Sequence, residues 1–91
     1  MISHKEALEI ANKYIMDSEI ELKITHEGSF LYGWYFCYQS REFIETGNTS
    51  FQLAGNAPFL IDKYSGKIHV LGTEKSIDYY IKDYVINKSK Y

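Results

Sequence analysis

The chain has one cysteine, Cys37, among its 91 residues. No disulfide can close within it and no zinc site can be built on paired thiolates, so a reducing compartment fits. Long apolar runs are also missing. The longest nonpolar stretch, Phe30 to Tyr38, has nine residues, against ~20 for a membrane-spanning helix. Glu6 and Glu9 interrupt any apolar segment near the N-terminus, so no secretory signal is read there and a cytoplasmic location is expected. An excess of one charge is lacking too: ten Lys/Arg stand against twelve Asp/Glu, a formal net charge of −2. A general nucleic-acid binder would carry a basic patch that displaces counterions from phosphates. Neither direct nucleic-acid binding nor membrane attachment is therefore expected. The charge is unevenly placed, however. Residues 1–48 hold eight acids and four bases, and residues 49–91 hold four acids and six bases. An acidic half of this kind suits a basic partner or is simply solvated surface.

What is present is ordinary globular material: 45% hydrophobic and 24% charged residues, enough for one domain spanning residues 1–91. Ser3-His4-Lys5-Glu6 has the pattern of a capping box, and Ala7, Leu8, Ala11, Tyr14 and Ile15 follow at helical spacing. A helix from about Ser3 to Met16 is predicted. Ile20, Leu22 and Ile24 alternate with polar residues as a half-wet strand, Glu27-Gly28-Ser29 reads as a turn, and Leu31 to Gln39 reads as a central strand. In that strand Trp34, Phe36 and Tyr38 share one face, and Tyr35 and Cys37 the other. From Ser40 to Pro58 the pattern breaks into turn dipeptides (Gly47-Asn48 and Gly55-Asn56) with scattered Phe43, Ile44, Phe51 and Leu53. A segment of this length inside a small domain is expected to be functional or folded back onto the core. Phe59 to Asp62 and Lys67 to Leu71 form a hairpin around Lys63-Tyr64-Ser65-Gly66, with Gly66 suited to positive φ. A last helix, capped by Ser76 or Thr73, carries the stripe Ile77, Tyr80, Ile81, Tyr84 and Val85. The predicted fold is α+β in the order α-β-β-loop-β-β-α: one four-stranded antiparallel sheet with the N- and C-terminal helices packed on one face.

Chemistry is harder to find. His4, His26 and His69 fall in different elements without metal-ligand spacing, and Cys37 in an aromatic strand behaves as a small hydrophobe. No nucleophile elbow, phosphate loop or dinucleotide fingerprint occurs. No catalytic, cofactor-binding or metal residue is assigned, and an enzyme is not expected. A small-ligand enzyme would need a polar pocket with convergent titratable groups. The unusual feature is aromatic content, 16% with nine tyrosines. Such side chains anchor protein interfaces or line the rim of a core with their hydroxyls in water.

Four stretches in order, ALEIANKYI, GWYFCYQSREFIETGN, LAGNAPFLIDKYSGKIHVLGT and IDYYI, together resemble the bacterial immunity protein 35 family, also described as the YrhB-type domain. The most specific combination is Trp34, the Gly55-Asn56-Ala57-Pro58 turn and the hairpin from Asp62 to Gly66. The resemblance implies a small cytoplasmic α+β protein that neutralises a cognate toxin protein by binding it, with no catalytic residues to carry over. An alternative reading, from relatives thought to limit aggregation, is a chaperone-like binder of unfolded clients. A homodimer through a sheet edge fits the same pattern. Loops and aromatics on a rigid scaffold commonly carry recognition, so the candidate partner-binding residues are Trp34, Tyr35, Glu42, Phe43, Glu45, Asn48, Phe51 and Asn56.

Overall fold

The computed structural model describes residues 1–18, 20–48 and 57–89. The elements are α1 (His4–Met16), β1 (Leu22–Phe30), β2 (Gly33–Ser40), α2 (Arg41–Thr46), β3 (Phe59–Asp62), β4 (Ile68–Val70) and α3 (Ile77–Ser89). The strands form one antiparallel sheet in the order β1-β2-β3-β4. The fold is thus α+β with the predicted order, plus a short helix between the two hairpins. Among the described residues, no helix is long and apolar enough to cross a membrane.

The α1 N-terminus forms as its sequence dictates. Ser3 Oγ accepts from the Glu6 N–H at 3.2 Å, and the Glu6 carboxylate accepts from the Ser3 N–H at 3.3 Å, satisfying two orphan donors reciprocally. Ala7, Ala11 and Ile15 line the buried side of α1 and pack on Phe36, Phe59 and Ile61 of the two central strands, with Trp34, Tyr38, Leu22, Ile24 and Ile68 around them. Small alanines let the helix approach closely while the rings fill the volume. Phe36 and Phe59 stack with centroids 5.5 Å apart, and Tyr14 meets Phe59 edge-on at 4.7 Å, both preferred aromatic geometries.

Three expectations are corrected. The turn between the first two strands falls at Leu31-Tyr32, not at Glu27-Gly28-Ser29, which lies inside β1. The cause is a bulge between Ile24 and His26. The extra residue moves the alternation on by one position, so Leu22, Ile24, Glu27 and Ser29 face α1 while Gly28 and Phe30 face the other way. Gly28 is tolerated there because Tyr35, its cross-strand partner, lays its ring over it.

The segment expected to be irregular from Ser40 to Pro58 instead starts as a helix, α2. Ser40 Oγ caps it by accepting from the Phe43 N–H at 3.2 Å, and Gly47, at φ 69°, closes it with its N–H donated to Phe43 O at 2.8 Å. Six residues are too few to show a helical apolar period, so in the sequence this stretch reads only as broken pattern ending in the Gly47-Asn48 dipeptide. Phe51 and the Gly55-Asn56 dipeptide lie outside the described residues.

The helices do not share a face of the sheet. Phe59 and Ile61 point to α1, and strand alternation sends Leu60 and Asp62 to the opposite side. His69, paired with Leu60, and Phe30, paired with Gly33, point that way too. Tyr84 of α3 meets this second face: its ring lies 5.0 Å from His69 and 6.1 Å from Phe30, and its hydroxyl reaches Asp62. Leu60, fully buried yet outside the α1 core, marks the same second layer. Apolar residues on both faces of the central strands are the physical cause, since each face needs a cover. The sheet is sandwiched between α1 and α3.

The second hairpin forms as expected, with Gly66 at φ 71°. Ser76 is the cap of α3, its hydroxyl accepting from the Tyr79 N–H at 3.3 Å. The predicted stripe is the half-buried side: Ile77, Tyr80, Ile81, Tyr84 and Val85, continued by Lys88.

Candidate functional site

Two groups of residues stand out. The first is mounted on α2. Arg41, its first residue, donates from Nε to Glu45 at 2.7 Å and from a terminal nitrogen to both carboxylate oxygens of Glu21, at 2.9 and 3.1 Å. These bonds drive the guanidinium further toward its charged form and lower the Glu45 carboxyl from its ordinary range. The three side chains are exposed, so the bonds orient α2 more than they stabilise the fold. Arg41 also donates its backbone N–H to Glu21 O at 3.0 Å, tying α2 to the chain just before β1.

This arrangement gathers half of the predicted partner-binding residues. Glu42, Glu45 and Asn48 are exposed on α2 and just after it, with Phe43 half-buried beside them. Trp34 and Tyr35 are not brought to them. They occupy the opposite end of β2, some five to six residues or ~17–20 Å along an extended strand, and they point to opposite faces. Trp34 packs at the edge of the α1 core with its ring 5.9 Å from that of His4; Tyr35 covers Gly28 on the α3 side. Phe51 and Asn56 lie outside the described residues. Cys37 is half-buried on the α3 side, and burial pushes its thiol up from the ordinary value, away from the reactive thiolate.

The second group was not foreseen. It sits where the β1–β2 turn and the β3–β4 turn lie side by side. Gly33 makes this approach possible: a Cβ there would fall 2.0 Å from Ile61 O, and the Lys63 N–H donates to Tyr32 O at 2.8 Å. Asp62 begins the second turn. One carboxylate oxygen accepts from the N–H groups of Tyr64 and Ser65 at 2.8 and 3.2 Å; the other accepts from the Tyr84 hydroxyl at 2.5 Å and from the Lys88 ammonium. The side chain is only 1% exposed. Burial opposes its charge, but the bonds from Lys88, Tyr84 and the two backbone groups outweigh it and hold the carboxyl near a pKa of about 2. Tyr84 moves the other way: burial, then its bond to that carboxylate, raises it. The Lys88 ammonium lies 5.0, 5.1 and 6.0 Å from the ring centroids of Tyr32, Tyr64 and Tyr84, within cation–π range. Tyr84 and Lys88 are four residues apart and so share a helix face, the one signal in the sequence that they act together. Nothing in it paired them with Asp62.

Among the described residues, no three His, Cys, Asp or Glu side chains converge as a metal site. Fold and surface define a small α+β scaffold that presents fixed charged and aromatic groups. The family model described as Immunity protein 35 matches residues 5–83, and the chain belongs to that family. It is 50% identical over 91 residues to "Uncharacterized protein YrhB" of Escherichia coli (strain K12), covering 100% of this chain and 97% of that protein. No solved structure matches.

Proposed function

We propose that this chain is a cytoplasmic immunity protein that neutralises a cognate bacterial toxin by direct non-covalent binding, without chemistry of its own. The observation that carries this reading is membership of the immunity family along residues 5–83. Inhibition of this kind works by affinity: a stable interface covers ~1,600 Å² and depends on a few aromatic and charged anchors. The α2 region offers such a surface. Arg41 holds it in one orientation against Glu21, while Glu42, Phe43, Glu45 and Asn48 project from it or lie beside it. Phe51 and Asn56 follow in the chain and are kept as contacts in the same proposal, with Trp34 and Tyr35 as a separate, sheet-borne pair. Acidic groups at this surface suit a toxin whose own working surface is basic, because opposite potentials speed encounter and suppress wrong partners. The test is a calorimetric titration against the protein encoded by the neighbouring gene, the candidate toxin under this reading. A one-to-one complex tighter than micromolar is expected, and no heat of binding at micromolar concentrations would contradict the reading.

A further inference from the structure

The Lys88 ammonium is held as a ligand is held. It has a buried carboxylate beneath it and three tyrosine rings around it, Tyr32 from the first turn, Tyr64 from the second and Tyr84 from α3. Aromatic cages of this composition recognise ammonium groups through the negative face of the ring quadrupole. The floor of the cage is built without Lys88: Asp62 is fixed by two backbone N–H groups of its own turn and by the Tyr84 hydroxyl. The cage also opens to the surface. Lys88 is 33% exposed, and a cavity of about 370 Å³ runs beside it, bounded by Asp62, Ser65, Lys67, His69, Tyr84 and Asn87. On the adjoining turns Leu31 and Tyr64 expose 63% and 55% of their surface, an apolar rim next to a charged socket.

We propose that Asp62, Tyr32, Tyr64 and Tyr84 form a lysine-recognition site, occupied in the free protein by Lys88 and open to a lysine side chain of the protein partner. Exchange of one primary ammonium for another leaves the socket's interactions unchanged. The resident group holds it through high effective concentration alone. A partner lysine whose neighbours also cover Leu31 and Tyr64 overcomes that advantage and frees the last turn of α3. The partner as physiological occupant rests on the toxin-binding reading; the socket itself does not.

The experiment therefore uses the isolated chain. In Lys88→Ala the socket is empty, and n-butylammonium reproduces the missing side chain. Ring resonances of Tyr32, Tyr64 and Tyr84 are followed by NMR during titration, with sodium chloride at equal ionic strength as control. Saturable shifts with butylammonium, absent with sodium, are expected. Adding Asp62→Asn, whose amide oxygen can still accept from the Tyr64 and Ser65 N–H groups, should weaken binding by roughly tenfold or more, as for loss of a hydrogen bond to a charged group. If Lys88→Ala does not fold in buffer, the readout becomes recovery of the native fold, with butylammonium and not with sodium. No saturable binding by the folded variant, or no recovery of an unfolded one, would overturn the proposal. Either failure leaves toxin binding by the wild-type chain untouched. Conversely, a chain that binds butylammonium but not the toxin retains the socket and loses the partner.

Discussion

At the scale of single residues, Asp62 couples stability to pH. Its carboxyl is held at about 2 in the fold, below the ordinary 3.8, so the native state favours the charged form. That stabilisation is complete above about pH 5 and is lost as pH falls through the ordinary value toward 2. Urea midpoints measured from pH 6 to pH 2 should fall in this window, and Asp62→Asn should flatten the fall. Tyr84 has the opposite sign. Its raised pKa means that its contribution is present below the ordinary tyrosine value of ~10 and is lost as pH climbs above it. Two glycines separate crowding from conformation. Gly47→Ala meets no atom within 4 Å and should cost only the left-handed strain, about 1 kcal/mol. Gly33→Ala meets Ile61 O and should cost several kcal/mol, from strain and overpacking together. Equal denaturation midpoints for the two variants would show that the two turns separate readily. Trp34→Ala should destabilise by about 3 kcal/mol, the low end for a large-to-small core change, because the indole is half-buried at the core edge.

At the scale of elements, what could be read from the sequence depended on length and period. α1 and α3 run for thirteen residues each, long enough for the caps at Ser3 and Ser76 and the apolar stripes to agree. The β3–β4 hairpin was legible because Gly66 and Asp62 are the residues its turn requires. β1 was misread because its bulge removes the period-two signal where Glu27-Gly28-Ser29 imitates a turn. The shared helix face is not what forms, because an apolar run says that both faces of a strand are covered, or that one awaits a partner, without saying by what. The Asp62 socket needed three elements to meet, and pairing at that range leaves no trace in a single chain. For α2 the expectation concerns recognition. The double variant Glu42→Lys, Glu45→Lys should weaken toxin binding while moving the melting temperature by no more than about 4 °C, as for surface substitutions in a domain of this size. Unchanged affinity in that variant would move the interface away from α2.

At the scale of the whole molecule, the chain is a sheet closed on each side by a helix, with the Arg41 and Lys88 ion pairs at the start of α2 and in the last turn of α3. Shape and surface chemistry are what such a molecule offers a partner. A chaperone-like activity would act on many unfolded clients and suppress their aggregation; an immunity protein should do so no better than an inert protein of equal size. Stoichiometric inhibition separates binding from chemistry most directly. Toxin activity is titrated with the chain, and the toxin is then released by denaturant and weighed by intact-mass spectrometry. Activity should fall in proportion to added chain and vanish near one equivalent, with the recovered toxin unchanged in mass. Inactivation by a small fraction of an equivalent, or a toxin altered in mass, would contradict the account.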